Sequence, residues 1–216
     1  RLASPRCMGT LYWQMNDCWP VVSWSSIDYL GHWKAVHYTV RDSYKSVLVS
    51  AQVTDSVIVV NAVSDSLQPI NGKITLTILS TLGDTLKQWT KDVSLHPNIA
   101  LVVDKIENPV EKIDFDKYFI HTRLSLMDGT EFESLSFMGK VGKLQLENPQ
   151  IVKEITKSNN GGTITLSSKY PAFFVELSSN NSDCRFENNY LHILPGRKYV
   201  IKYSGNLGDN LKLKFL

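Results

Sequence analysis

The sequence predicts a mainly β protein in which two consecutive β-sandwiches follow one βα unit. Three observations carry this prediction: seven alternating, β-branched-rich runs in residues 46–143, six further runs in residues 147–216, and a different, aromatic-rich composition in residues 1–45. Alternating apolar and polar residues between turn residues are typical of antiparallel strands that bury one face. We therefore expect three parts with these boundaries.

The first predicted sandwich, residues 46–143, has hairpin signals between its runs. Leu82-Gly83-Asp84 and Met127-Asp128-Gly129-Thr130 each stand between two runs and suit tight turns. Seven short antiparallel strands at this spacing indicate an immunoglobulin-like sandwich, although the cysteine and tryptophan markers of antibody domains are missing. The runs are VLVSAQV, SVIVVNAV, KITLTILS, TLKQWTKDVSL, NIALVVD, KYFIHTRLSLM and EFESLSFM.

The second predicted sandwich, residues 147–216, repeats the pattern on a smaller scale. Asn159-Asn160-Gly161-Gly162 and Pro195-Gly196 supply its sharp turns. A chain of this length is close to the lower limit for a self-supporting core, so we expect a small immunoglobulin-like sandwich that leans on its neighbour. Its runs are QIVKEITKS, GTITLSSK, AFFVELSS, CRFENNYLHIL, KYVIKYSG and LKLKFL.

Residues 1–45 fit neither sandwich. Met8 to Met15 predict a buried strand of the parallel type, because the run MGTLYW is almost continuously apolar. From His32 to Tyr44, apolar and aromatic residues recur at helical spacing. A single parallel strand can neither pair its backbone nor bury both faces. We therefore expect this βα unit to belong to a larger α/β body that precedes Arg1.

Residues 11–38, the aromatic segment, hold four of the five tryptophans in the chain. A folding core needs one or two such rings, so this density indicates a surface that stacks on something flat. The four are Trp13, Trp19, Trp24 and Trp33.

Composition excludes several classes of protein. With 216 residues, 43% hydrophobic and 20% charged, the chain is long enough and apolar enough to fold. A net charge of +2 is too small to indicate a nucleic-acid or anionic-membrane partner. No apolar run reaches the roughly 18 residues of a membrane span, although an export signal could precede Arg1.

Metal and cofactor sites are not predicted either. The three cysteines have no metal-binding spacing and are too few for a disulfide framework. The HExxH, GxSxG and P-loop patterns are also absent from the sequence. We expect no metal and no cofactor.

Two parts of the chain resemble a known family. GTLYWQMND at residues 9–17, with Trp19, SWSSID at residues 23–28 and Trp33-Lys34, resembles the family 2 glycoside hydrolases and is most similar to the β-mannosidases. FENNY at residues 186–190 and Leu194-Pro195-Gly196 are similar to a signature of the C-terminal β-mannosidase module.

The resemblance implies a more specific fold and a sugar site. Residues 1–45 would be the last strand and helix of a (β/α)8 barrel, whose functional residues cluster at the C-terminal ends of its strands. Trp13 would form the floor of the subsite that holds the reacting sugar, while Asn16 and Asp17 hydrogen-bond hydroxyls or orient Trp13. We expect the remaining tryptophans of the segment to pack the loop in place, with Trp19 or Trp24 reaching a more distal sugar as the alternative.

The resemblance also implies what the chain lacks. Retaining enzymes of this type use two glutamates, but the first glutamate of this chain is Glu107, which lies in a predicted sandwich. We therefore expect the fragment to be inactive alone and to pack on a missing barrel. The parent would be an exo-acting β-mannosidase that hydrolyses terminal β-linked mannose and is periplasmic, secreted or lysosomal. The alternative is a non-catalytic carbohydrate-binding or adhesion module.

Overall fold

The computed structural model describes residues 1–208 and 210–216, which form two compact units. The first unit contains Arg1–Leu11 and Ser43–Leu146, and the second contains Tyr12–Asp42 and Glu147–Leu216. Residues 1–45 therefore form no unit of their own.

All seven runs predicted for the first sandwich form strands. The three-stranded sheet has the order β1-β2-β5, the four-stranded sheet has the order β4-β3-β6-β7, and all pairs are antiparallel. The strands are β1 (Val47–Val53), β2 (Val57–Ser64), β3 (Ile70–Ser80), β4 (Thr85–Leu95), β5 (Ala100–Glu107), β6 (Tyr118–Leu126) and β7 (Glu131–Phe137).

The core of the first unit follows from the alternation in its strands. In β1, Val47 and Val49 are buried while the residues between and after them are more exposed. In β3, Ile74, Leu76 and Ile78 alternate inward in the same way. Burying one face of each sheet against the other is the main stabilising contribution in such a sandwich.

The N-terminal residues of the first unit are attached by polar contacts. The Arg1 guanidinium donates to the carbonyl oxygens of Ser43 and Lys45 at 2.9 and 2.6 Å and pairs with Asp65 at 2.8 Å. The Ser4 hydroxyl donates to the carbonyl of Asn98. Arg1–Leu11 is therefore anchored without regular secondary structure.

The strand predicted over Met8 to Met15 is wrong. These residues have irregular backbone, and the adjoining Asn16 makes only an isolated parallel bridge with Ile27. The side chains of Met8, Leu11 and Met15 are exposed. An apolar run predicts burial but does not supply a neighbouring strand, and no strand of the described residues pairs with this run.

The second unit contains a smaller antiparallel sandwich, so the chain is mainly β. Its sheets have the orders β11-β13-β9-β8 and β12-β10-β14. The run CRFENNYLHIL forms two short strands rather than one. The strands are β8 (Val152–Ser158), β9 (Gly161–Ser167), β10 (Ala172–Ser179), β11 (Arg185–Phe186), β12 (Leu191–Ile193), β13 (Tyr199–Ser204) and β14 (Leu211–Lys214).

The predicted helix is present as α1 (Ala35–Ser43), slightly shorter than the helical spacing indicated. Tyr38 is its buried residue. Within residues 1–208 and 210–216, no helix has the length and apolar character needed to cross a membrane.

Gly161, at the start of β9, lies too close to the neighbouring strand to accept a side chain. Its φ is +147°, and a Cβ atom would lie 2.3 Å from the carbonyl oxygen of Tyr203. We expect Gly161→Ala to lower the free energy of unfolding of the second sandwich by about 3 kcal/mol, through strain and overpacking. Urea denaturation followed by amide NMR signals of this sandwich measures the effect.

Gly142 provides the matched control, since a Cβ atom there would meet nothing within 4 Å. We expect Gly142→Ala to change the free energy of unfolding by about 0.5 kcal/mol or less. Equal denaturation midpoints for Gly161→Ala and the unchanged chain would contradict the prediction.

Candidate functional site

The part of the aromatic segment in the second unit folds back on itself. The Asp17 N–H donates to the Ile27 carbonyl at 3.0 Å, and the Ile27 N–H donates to the Met15 carbonyl at 2.9 Å. Ile27 also bridges to Trp33 in the antiparallel sense. Three short stretches of chain therefore lie side by side, with residues 18–25 as a loop between two of them.

Asp17 is the centre of a buried hydrogen-bond network. Its carboxylate accepts hydrogen bonds from the hydroxyl of Ser23, from the hydroxyl of Ser25 at 2.6 Å and from the Lys34 ammonium at 3.0 Å. Only 1% of its side chain is exposed. The serine hydrogen bonds, followed by Lys34, lower the pKa of the carboxyl to about 2. Asp17 therefore holds both ends of the loop together.

The low pKa predicts how the loop responds to acid. The folded-state pKa lies below the ordinary value of 3.8, so the carboxylate stabilises the loop above that pH. This contribution is lost as the pH falls through about 2. In a ¹³C NMR titration we expect the Asp17 carboxyl to stay ionised to about pH 2, with the amide signals of Ser23 and Ser25 shifting together with it.

Asp17→Asn serves as the control for the acid response. This variant has no carboxylate to protonate, so the low-pH step in the amide signals of Ser23 and Ser25 should disappear. A titration midpoint near 3.8 for Asp17, or the same low-pH step in the variant, would show that the network does not bind the carboxylate as described.

Ser26 connects α1 to the residues that flank Trp13. Its Oγ donates to the Met15 carbonyl at 2.9 Å and lies 3.1 Å from both the Tyr12 hydroxyl and His37 Nδ1. A hydroxyl has one proton to donate and two lone pairs, so Tyr12 and His37 must both be donors to Ser26. His37 then carries its proton on Nδ1. Burial, aided by Arg41, lowers the pKa of His37.

The three predicted site residues differ in their exposure. Trp13 exposes 76% of its surface, and Asn16 is also exposed. The Asn16 amide donates to the Asp17 carbonyl at 3.3 Å, and the peptide bond from Trp13 to Gln14 is cis. Trp13 and Asn16 are therefore available to a ligand, whereas the Asp17 carboxylate faces its loop partners.

The other tryptophans of the segment differ in their ring contacts and in their exposure. Trp33 stacks on His37 with a centroid distance of 4.4 Å and meets Tyr38 edge-on at 5.5 Å. Trp19 and Trp24 expose 61% and 81% of their surfaces. Trp33 therefore packs against two residues of α1, while Asp17 and its polar partners hold the loop that contains Trp19 and Trp24. The loop-packing role expected for these tryptophans stays a prediction.

The FENNY motif holds α1 against the second sandwich. The Tyr38 hydroxyl donates to the Phe186 carbonyl at 3.1 Å, and Arg41 donates to the Glu187 carbonyl at 2.7 Å and to Asn188 Oδ1 at 2.8 Å. Tyr38 also contacts Tyr190, with ring centroids 5.8 Å apart. Burial raises the pKa of Tyr38 to about 12, so its hydroxyl keeps its proton.

Four residues that organise the segment lie in the motifs of the resemblance but were given no role from the sequence: Ser23, Ser25, Ser26 and Lys34. The available signal was the stretch SWSS after an aspartate, since neighbouring hydroxyls in a loop readily donate to a carboxylate. Among the residues that the structure describes, no group of three or more histidine, cysteine, aspartate or glutamate side chains could hold a metal ion.

Both sandwiches match known domain families. Residues 56–138 match a Mannosidase Ig/CBM-like domain, and residues 146–214 match an Ig-fold domain of the Ig_mannosidase family. Together the two matches include most of the chain outside residues 1–45.

Two curated relatives are β-mannosidases from fungi. The chain is 37% identical to β-mannosidase A of Neosartorya fischeri over 83 residues, which are 38% of this chain and 9% of that protein. It is 40% identical to β-mannosidase A of Aspergillus niger over 80 residues, which are 36% of this chain and 9% of that protein. The matched part is thus less than a tenth of the length of these relatives.

Two solved structures resemble almost the whole chain. The β-D-mannosidase of Dictyoglomus thermophilum has a TM-score of 0.79 and 27% identity, and the match includes 94% of this chain and 25% of that chain. The exo-chitosanase CsxA of Amycolatopsis orientalis has a TM-score of 0.71 at 13% identity, over 94% of this chain and 29% of that chain. The second likeness concerns the fold alone.

Proposed function

We propose that this chain is the C-terminal part of an exo-acting, retaining β-mannosidase. It resembles the C-terminal part of a β-mannosidase-like family 2 glycoside hydrolase, and both of its sandwiches match mannosidase domain families. In this proposal the parent hydrolyses terminal β-D-mannose residues. The chain supplies one wall of the sugar site and two accessory sandwiches. Residues 1–45 come from the end of the parent's (β/α)8 barrel, and α1 is the last helix of that barrel.

The exposure of Trp13 is the observation that carries this proposal. Trp13 exposes 76% of its surface, so a ligand or another part of the protein that covers the indole gains free energy from burying it. A pyranose offers patches of C–H bonds that match an indole in size. Asn16, three residues later, adds an exposed amide that can donate to and accept from sugar hydroxyls.

Asp17 has an indirect role in the proposal. Its buried network fixes the backbone that follows Trp13, so the ring is presented from a rigid position. Ser26 fixes the same backbone from the side of α1, through the Met15 carbonyl. Asp17 thus orients Trp13 and does not itself contact the sugar.

The catalytic glutamates belong to the parent in this proposal. The aromatic segment contains no glutamate, and the first glutamate of the chain, Glu107, is the last residue of β5 in the first sandwich. A retaining mechanism needs two carboxyl groups about 5 Å apart at the sugar. The chain alone is therefore inactive, and the exposed apolar residues of the segment pack on the rest of the barrel. We place the parent in a periplasm, a lysosome or outside the cell.

A second candidate is a non-catalytic carbohydrate-binding module. The description of residues 56–138 as an Ig/CBM-like domain favours it. In that case the first sandwich would bind sugar without any catalytic partner.

The specificity of the parent tests the proposed function. We expect the full-length protein to hydrolyse p-nitrophenyl β-mannoside and to be much slower on the corresponding β-galactoside and β-glucuronide. Hydrolysis of all three at similar rates would contradict the β-mannosidase proposal. Binding of mannosides without hydrolysis would favour the carbohydrate-binding module.

A further inference from the structure

The second unit contains a cleft of about 430 Å³ whose lining includes none of Trp13, Asn16 and Asp17. One wall is formed by His32, Trp33 and Tyr38, and the other by the end of β10 and by residues 181–190. Its volume lies in the range of small-molecule sites, which bury most of a bound ligand. The aromatic rings of Trp33 and Tyr190 line it together with polar side chains.

The walls of this cleft are held in place by hydrogen bonds across it. The Tyr38 hydroxyl binds the Phe186 carbonyl at 3.1 Å, and His32 Nε2 lies 3.3 Å from the Ser182 carbonyl oxygen. The other ring nitrogen, His32 Nδ1, lies 2.9 Å from Oδ2 of Asp28. A cleft closed by such contacts is largely formed before a ligand arrives, which lowers the entropic cost of binding.

Arg185 makes the cleft suited to an anion. Among the lining residues that the structure describes, it is the one permanent cation, and none of them is an aspartate or a glutamate. Its two hydrogen bonds to residues in the ranges 1–208 and 210–216 both use Nη1 and reach the carbonyl oxygens of Ser182 and Cys184. The guanidinium is thereby oriented, while Nε and Nη2 remain as donors for a planar, bidentate contact with an oxyanion.

The remaining lining groups fit a polyhydroxylated ring. Ser178 and Ser182 provide hydroxyls, and Asn181 provides an amide whose oxygen already accepts the Asp183 N–H at 3.0 Å. Trp33, 40% exposed, offers an aromatic surface for C–H groups. Rings, neutral hydrogen-bonding groups and one oriented cation together fit neither a purely apolar ligand nor a cation.

We propose that this cleft is a binding site for a sugar unit that carries an anionic group. The ring packs against Trp33 and Tyr190, and the anion binds Arg185. A uronic acid and a sugar phosphate share this chemistry. The site is additional to the proposed function of the parent and does not depend on it.

Titration of the ¹⁵N-labelled 216-residue chain tests the proposal. The ligands are sodium D-glucuronate, D-mannose 6-phosphate and, as the neutral comparison, methyl α-D-mannoside. We expect one or both anionic sugars to shift the Trp33 indole signal and the amides of residues 178–190, with Kd on the order of 1 mM. Comparison of glucuronate with mannose 6-phosphate shows whether the site binds a carboxylate or a phosphate. Methyl α-D-mannoside should bind at least about tenfold more weakly than the anionic sugar that binds.

Arg185→Gln and Lys202→Gln form a matched pair of variants. Each removes one positive charge from the second unit, but Lys202 lies exposed on β13 and does not line the cleft. We expect Arg185→Gln to weaken anionic-sugar binding about tenfold or more and Lys202→Gln to leave Kd within about twofold.

Three results would overturn the proposal. The first is the absence of shifts at Trp33 and residues 178–190 at ligand concentrations up to about 20 mM, well above the expected Kd. The second is equal binding of the neutral sugar. The third is unchanged affinity in a folded Arg185→Gln variant.

Discussion

Replacing Trp13 by alanine in the full-length parent is expected to lower kcat/KM for p-nitrophenyl β-mannoside about a hundredfold or more. The physical reason is the loss of the indole as an apolar platform for the sugar ring, which removes about 3 kcal/mol of binding in the transition state. Water would then reach the face of the sugar that the indole covered. Steady-state kinetics on the purified variant measure the effect.

A smaller change at Trp13 and a substitution far from it show whether the loss of activity comes from the sugar contact or from destabilisation of the protein. Trp13→Phe keeps an aromatic ring of smaller area, so we expect a loss of about tenfold. Trp89, on β4, is the one tryptophan outside the aromatic segment and packs against the core of the first sandwich. Trp89→Phe should leave kcat/KM within about threefold. A folded Trp13→Ala enzyme with nearly unchanged kcat/KM would remove Trp13 from the sugar site.

Replacing Asn189 by alanine is expected to destabilise the second sandwich by about 3 kcal/mol. The buried Asn189 amide accepts the Leu177 N–H at 2.7 Å and donates to the Leu177 carbonyl at 2.9 Å. It therefore satisfies both backbone groups of a buried residue in β10, in the place of a neighbouring strand. Leaving these two groups without partners in the interior costs about 1–3 kcal/mol each.

Asn148 offers the control for this substitution. It is exposed, and its side chain accepts one local hydrogen bond, from the Gln150 N–H at 3.0 Å. We expect Asn148→Ala to cost about 1 kcal/mol or less. Urea denaturation and hydrogen exchange at the Leu177 amide measure both variants. Similar losses in the two, or an unchanged exchange rate at Leu177, would contradict the role given to Asn189.

The strands were predictable because their signal is local. In β1 and β3, apolar residues alternate with polar ones, and sandwich burial has the same period of two. The division of CRFENNYLHIL into β11 and β12 was not predictable in this way. Between these two strands, Asn189 hydrogen-bonds Leu177, twelve positions away in the chain, and such a contact does not change the alternation of apolar and polar residues.

The organisation of the aromatic segment was predictable only in part. The resemblance predicts Trp13 and Asn16 as sugar-binding residues, the structure exposes both side chains, and their role stays a prediction. The burial of Asp17 was missed because a carboxylate is normally at the surface, and its partners become visible only when residues 18–25 form their loop. The strand over Met8 to Met15 failed for a related reason, since pairing depends on residues elsewhere.

We propose that this chain is a non-catalytic part of a β-mannosidase, and one assay of hydrolysis tests that proposal. Hydrolysis of p-nitrophenyl β-mannoside should be measured for the 216-residue chain beside its full-length parent. We expect activity in the parent and none above background in the chain. Hydrolysis by the purified chain itself would contradict it, and would place a catalytic pair among glutamates that lie in the sandwiches or between them.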